Sequence, residues 1–238
     1  MLNLDRQTLL IIAPHPDDEV LGCGGLIKHV KEGGGSVHVL FMTVGHTKDY
    51  SAQGKSTANQ RIKEIKQVAK SLMFDSYNIA LKGNRYHLQL DQVSQLTLIG
   101  HIEKYIQATK PTILASVHHQ DYNQDHRATA SAVLAATRPA PLSDRIIPDV
   151  ILGYRSVMTS GWAEPQLQNP QFHLELRAED IVAKSNAMNL YSSQVRSKGH
   201  QRTAEGIEKV ARFSGLFAGT TFAESYTVYR LFNGVAKG

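Results

Sequence analysis

Cysteine is almost missing: the 238 residues hold one, Cys23. No internal disulfide can form, so the fold must rest on its apolar core, and a reducing compartment is the expectation. Long apolar runs are missing as well. The longest, Leu9 to Pro14, falls far short of the roughly 20 residues that cross a bilayer. The opening Met1-Leu2-Asn3-Leu4-Asp5-Arg6 has no basic stretch followed by an apolar one, so no secretory signal is expected and a cytoplasmic location is. Basic clusters are missing too. The formal net charge is +5, but Lys and Arg are scattered with no aromatic residues among them. That pattern fits solvated helix faces and excludes nucleic acid as the expected partner. A mild positive field suits an anionic small molecule better.

What is present is ordinary globular material, 42% hydrophobic and 20% charged, long enough to bury a sizeable core. The first half alternates two periodicities. Thr8–Ala13 is an apolar run ended by Pro14, the pattern of a strand buried on both faces. Glu19–Lys31 is helical and stops at Gly33-Gly34-Gly35. Strand and helix then repeat: Ser36–Thr43, Ala58–Ser71, Tyr77–Leu81, Gln92–Ala108, Thr112–Val117, Asp125–Thr137 and Asp149–Gly153. This rhythm predicts an α/β fold, an open and mostly parallel sheet with helices on both faces. Residues 156–238 form an extension on the 1–155 core, with helices over Glu179–Tyr191 and Ala204–Arg212 and an added strand over Ser225–Phe232. The whole of 1–238 is read as one domain.

The stretch Pro14-His15-Pro16-Asp17-Asp18-Glu19 directly follows the first strand and leads into a helix. Ligands of open α/β sheets sit beyond the carboxyl ends of strands. Three consecutive acids there repel one another unless something positive joins them, and a divalent metal would. His15 and Asp18, bracketing the turn, can converge on one ion, which leaves Asp17 beside it. A helix N-terminus also attracts acids, and for Glu19 that explanation is as good as a catalytic one. The glycines Gly22, Gly24 and Gly25 lie inside the helix, not in the turn, and the turn is acidic. Both facts argue against a pyrophosphate site and for close helix–sheet packing.

A second polar cluster, His118-His119-Gln120-Asp121-Tyr122-Asn123-Gln124-Asp125-His126-Arg127, follows the fourth strand. With strand order 3-2-1-4-5, strands one and four are neighbours and the two clusters meet across one crevice. His126 then supplies a third metal ligand, and Asp121 or Asp125 can orient an imidazole from behind. His118 and His119 read equally well as ordinary loop residues.

These residues carry a resemblance. Pro14-His15-Pro16-Asp17-Asp18-Glu19 with Gly22-x-Gly24-Gly25, then Thr43-x-Gly45, Arg61-x-x-Glu64 and Asp125-His126-Arg127 resemble the PIG-L/LmbE-like family of zinc-dependent N-deacetylases. The likeness is clear over about residues 8–140. It is fainter through Trp162, Tyr191-Ser192-Ser193-Gln194 and residues 200–208. It implies a Rossmann-like fold and a hydrolase that removes an N-acetyl group from an amino sugar or sugar conjugate, phosphorylated and nucleotide-linked sugars included. It implies His15, Asp18 and His126 as ligands of Zn2+, with Fe2+ as the other metal such donors accept. Asp17 takes the role of general base.

The family's usual histidine three residues before the last ligand is Asn123 here. An Asn amide can donate to an oxyanion, and His118 or His119 is the other source of such a donor. Arg61 and Thr43 are the expected substrate-binding residues, with an Arg61–Glu64 intrahelical pair as the plain alternative for Arg61. The implied partners are a small N-acetylated substrate and further copies of the chain as a homo-oligomer. Two other functions fit the same residues: hydrolysis of another small N-acyl group, as in a deformylase or amidase, or a metal-binding module impaired in catalysis.

Overall fold

The computed structural model describes residues 2–48, 55–141, 145–157 and 171–233; Trp162 lies outside them. Strand β1 (Thr8–Ala13) is followed by helix α1 (Asp18–Glu32), and β2 (Ser36–Val44) leads through a short hairpin, β3 (Thr47–Lys48) and β4 (Lys55–Ser56), into α2 (Ala58–Ser71). Next come β5 (Ser76–Lys82), α3 (Gln95–Thr109), β6 (Ile113–Val117), α4 (Gln124–Ala136) and β7 (Val150–Tyr154). The last third supplies β8 (Phe172–Glu175), α5 (Ala178–Leu190), α6 (Ala204–Ala218) and β9 (Ala223–Leu231).

Seven strands form one sheet in the order β5-β2-β1-β6-β7-β9-β8. The first five strands are parallel, in the expected order. Strand β9 joins antiparallel to β7, and β8 antiparallel to β9. The added strand over 225–232 is therefore present. The hairpin β3–β4 and the edge strand β8 are elements the sequence periodicity did not reveal, since runs of two to four residues are too short to show a period.

Strand β1 shows why the sheet has two covered faces. Leu9, Ile11 and Ala13 belong to a core that includes residues of α1, α2, α5 and α6. Leu10 and Ile12 belong to a second core shared with α3 and α4. Successive side chains of a strand point to opposite faces, so an unbroken apolar run means burial on both. The chain leaves β1 toward β2 on one side, and β6 pairs with it on the other, with Ile12 opposite Ser116. The ends of β1 and β6 thus flank the switch point of the sheet.

Close approach to α1 depends on its glycines. A Cβ at Gly22 would lie 2.0 Å from Tyr154 Cδ2, one at Gly24 2.8 Å from Lys184 Cγ, and one at Gly25 2.4 Å from Leu176 Cδ2. At Gly100 in α3 nothing lies within 4 Å of such an atom. No described helix is long and apolar enough to cross a membrane. Gly22→Ala should therefore cost about 1–3 kcal/mol through overpacking. Gly100→Ala should stabilise by about 0.5–1 kcal/mol through helix propensity. Urea denaturation of both variants measures this, and a neutral Gly22→Ala would refute the packing argument.

Candidate active site

The chain turns sharply after β1. Asp17 adopts φ 106°, ψ −26°, left-handed backbone that a non-glycine residue enters only when its surroundings hold it there. Two groups supply the hold. The Asp17 N–H donates to Glu19 Oε2 at 3.1 Å, and Tyr191 Oη donates to Glu19 Oε1 at 2.6 Å. The Arg61 guanidinium donates to the Pro16 carbonyl at 3.1 Å from behind the loop. Thr43, at the end of β2, donates its N–H to the Pro14 carbonyl at 3.1 Å, and its buried hydroxyl has no partner among the described residues.

One potential ligand atom from each of His15, Asp18 and His126 lies within 4.8 Å of the other two. His15 Nδ1 is 3.6 Å from Asp18 Oδ2, and His126 Nε2 is 3.4 Å from the same oxygen. Each imidazole is fixed by its other nitrogen. His15 Nε2 meets Asp125 Oδ2 at 2.8 Å, and His126 Nδ1 meets Asp121 Oδ2 at 2.8 Å. A carboxylate can only accept, so each ring donates there and turns its remaining nitrogen toward Asp18. Asp125 is held in turn by the N–H groups of Leu88 (2.9 Å) and Leu90 (2.8 Å).

Electrostatics agree with that geometry. Burial works to raise Asp18, but the His126 and His15 imidazoles prevail and hold its carboxyl well below the ordinary range. Burial likewise opposes charge on His126, yet Asp18 and Asp121 lift it to about 10. Asp17 is raised by burial and by Asp18, against the pull of Arg202 and Arg61. Burial pushes Glu19 up to about 8 despite its Tyr191 hydrogen bond. Asp18 Oδ1 is buried with no hydrogen-bond partner among the described residues. Two imidazole nitrogens and an orphaned carboxylate oxygen form a donor set that fits zinc or ferrous iron.

Other expected residues sit around this centre. Asn123 caps α4, its Oδ1 accepting from the Asp125 N–H at 2.9 Å, so its amide N–H groups are what it can offer a substrate. His118 Nδ1 accepts from the Gln120 N–H at 3.1 Å, and its ring packs on His119 and Tyr229. Arg61 and Glu64 do not form a pair on a solvated face: both are buried. Glu64 instead accepts from Ser192 Oγ (3.0 Å), Ser193 N (3.0 Å) and Ser193 Oγ (2.7 Å). That clamps the Tyr191–Gln194 turn to α2.

Two neighbours were not visible in the sequence. His87 packs edge-on against His15, with ring centroids 5.1 Å apart, and lies 3.3 Å from an Arg61 nitrogen. Burial, with His15 and Arg61, drives it down to about 2, so it is a neutral imidazole. Gly45 gives it room, since a Cβ there would lie 2.3 Å from His87 Cβ. Arg202 reaches Asp17 from the far end of the chain, Nε to Oδ2 at 2.9 Å.

A family model described as PIG-L, GlcNAc-PI de-N-acetylase, matches residues 10–137. The chain belongs to this family. An Escherichia coli K12 protein called uncharacterized deacetylase YaiS is 26% identical over 194 residues, 79% of this chain and 92% of that protein. N,N'-diacetylchitobiose deacetylase from Pyrococcus horikoshii superposes with a TM-score of 0.72 at 19% identity, covering 93% of this chain and 83% of that one. GalB from Pseudomonas putida KT2440, a 4-carboxy-2-hydroxymuconate hydratase, superposes at 0.68 with 18% identity over 98% of this chain and 99% of that one. The PIG-L family relatives are deacetylases, whereas the fold itself also serves a hydratase.

A protonated His126 must lose its proton to bind a cation, so metal affinity should rise with pH. In the metal-free protein the same imidazolium stabilises the fold, fully below the ordinary value of 6.5 and no longer once pH has risen through about 10. Calorimetric titration of zinc in two buffers of different ionisation enthalpy near pH 7.5 should show a net release of protons. Binding without proton release would contradict the imidazolium at His126.

Proposed function

We propose that this PIG-L family member is a metal-dependent N-deacetylase acting on an N-acetylated amino sugar or sugar conjugate. The observation that carries the reading is the convergence of His15 Nδ1, His126 Nε2 and the Asp18 carboxylate, with Asp17 the adjoining residue of the same turn. His15, Asp18 and His126 would hold zinc or ferrous iron. Such a cation supplies a Lewis acid that polarises an amide carbonyl and makes water a competent nucleophile near neutral pH.

The chain's own groups supply the rest. Asp17 accepts a proton from the attacking water and returns it to the nitrogen as the C–N bond breaks, so acetate and a free amine leave. Asn123, through its amide N–H groups, or His118 steadies the charge that develops on the carbonyl oxygen. Thr43 and Arg61 act on the substrate through the Pro14–Pro16 loop they hold. The net positive charge favours phosphorylated or nucleotide-linked sugars.

The hydratase of the same fold makes the reaction itself the point to test. Zinc-loaded protein offered free, phosphorylated and nucleotide-linked N-acetylhexosamines should release acetate. Asp17→Asn should retain the metal and lose turnover by on the order of 10³-fold. Formate release from N-formyl analogues alone would shift the acyl group. No hydrolysis of any N-acyl sugar, or wild-type turnover in Asp17→Asn, would refute the proposal.

A further inference from the structure

The acidic run has a division of partners. Asp18 faces two imidazoles, Glu19 takes Tyr191 Oη and the Asp17 N–H, and Asp17 faces Arg202. The last contact unites the two ends of the chain. Arg202 lies beyond residues 10–137, the span matched by the family model.

Its position is built with care. The Arg202 N–H donates to His200 Nδ1 at 3.0 Å, and Thr203 Oγ1 donates to the His200 carbonyl at 2.7 Å. Thr203 then caps α6, its Oγ1 accepting from the Gly206 N–H at 3.0 Å. The turn sits so tightly on α6 that a Cβ at Gly206 would lie 2.3 Å from the His200 carbonyl oxygen. Arg202 is thus the residue just before a helix N-cap, where the positive end of the macrodipole disfavours a cation. Helix stability alone does not explain an arginine there. Its contact with Asp17 does: Oδ2 is buried with no hydrogen-bond partner among the described residues, and the guanidinium charge lies 2.9 Å from it. The Nε–H is not aligned for a hydrogen bond with Oδ2, so charge and van der Waals contact set this approach.

We propose that Arg202 is the positioning residue of the general base: its charge, in contact with one oxygen of Asp17, holds the carboxylate where its other oxygen meets the water. The idea rests on the deacetylase reading with Asp17 as base. Backbone strain at Asp17 sets where its Cα lies, and Arg202 sets how its carboxylate is turned. Misplacement of a reacting group by about 1 Å costs on the order of 10²-fold in rate.

The test uses the full-length, zinc-loaded protein and the N-acetylhexosamine it hydrolyses fastest. Arg202→Ala should lower kcat by on the order of 10²-fold with KM little changed, the signature of an interaction felt in the transition state. Its zinc content should equal that of the wild type. Guanidinium ion, added well below denaturing concentration, should restore part of the lost kcat. Arg202→Lys should recover less than arginine, because a compact, strongly hydrated ammonium does not replace the weakly hydrated guanidinium packed against Oδ2. Arg202→Gln, which keeps side-chain length without charge, serves if Arg202→Ala does not fold, and should show the same fall in kcat.

Wild-type kcat in either neutral variant overturns the proposal. So does a loss that guanidinium does not relieve and that comes with lost zinc, since that is a structural role. Asp17→Asn separates the two readings. If it abolishes acetate release while Arg202→Ala does not, only the Arg202 proposal falls. If the wild type releases no acetate, both fall.

Discussion

Burying an acidic side chain is costly unless a partner answers its charge or it keeps its proton, and this chain buries Asp17, Asp18 and Glu19 in succession at the end of its central strand. Most of the architecture near the crevice reads as the answer to that cost. His15 and His126 face Asp18, Tyr191 bonds Glu19, and Arg202 faces Asp17. Each imidazole is itself held by a second carboxylate, Asp125 or Asp121. A site assembled this way is stiff, because no member can move without leaving a buried polar or charged group unpartnered.

Stiffness reaches across the chain through a few shared residues. Arg61 and Glu64, one turn apart on α2, hold the Pro16 carbonyl and the Ser192–Ser193 turn respectively. Glu19 joins Asp17 to Tyr191. The last third of the chain therefore touches the crevice by three routes while also adding β8 and β9 to the sheet. Inside that third, Glu224 accepts from the backbone of Gly25 and Leu26, from Lys184 and from Tyr226, tying β9 to α1 within the core.

Much of this was legible in the sequence, for physical reasons that differ by region. The apolar run of β1, buried on both faces, announced a parallel central strand; the strand–helix alternation announced a parallel sheet, and the common order of such sheets is the one its first five strands adopt. The residues His15, Asp18 and His126 stood out because they belong to polar clusters that run from a strand end into the first turn of the next helix, where a sheet opens its crevice. His87 left no such trace. It sits between short turns with no period, and its one clue is Gly45, whose missing side chain makes room for it. Residues 200–208 carried a faint resemblance, but the contact of Arg202 with Asp17 was hidden by distance, since nothing local marks a contact spanning most of the chain. A solvated Arg61–Glu64 pair stood as the alternative to substrate binding by Arg61 because helical spacing alone does not tell burial from exposure. Strand β8 escaped because four residues at a sheet edge carry too little alternation.

The claim beneath all of this is that His15, Asp18 and His126 bind one cation together. X-ray absorption at the zinc edge, on protein loaded with one equivalent of zinc, measures that coordination directly. Two imidazole nitrogens and oxygen ligands at about 2.0–2.2 Å, with one imidazole lost in His126→Ala, are the expected result. A shell without histidine, or one unchanged in His126→Ala, would contradict it.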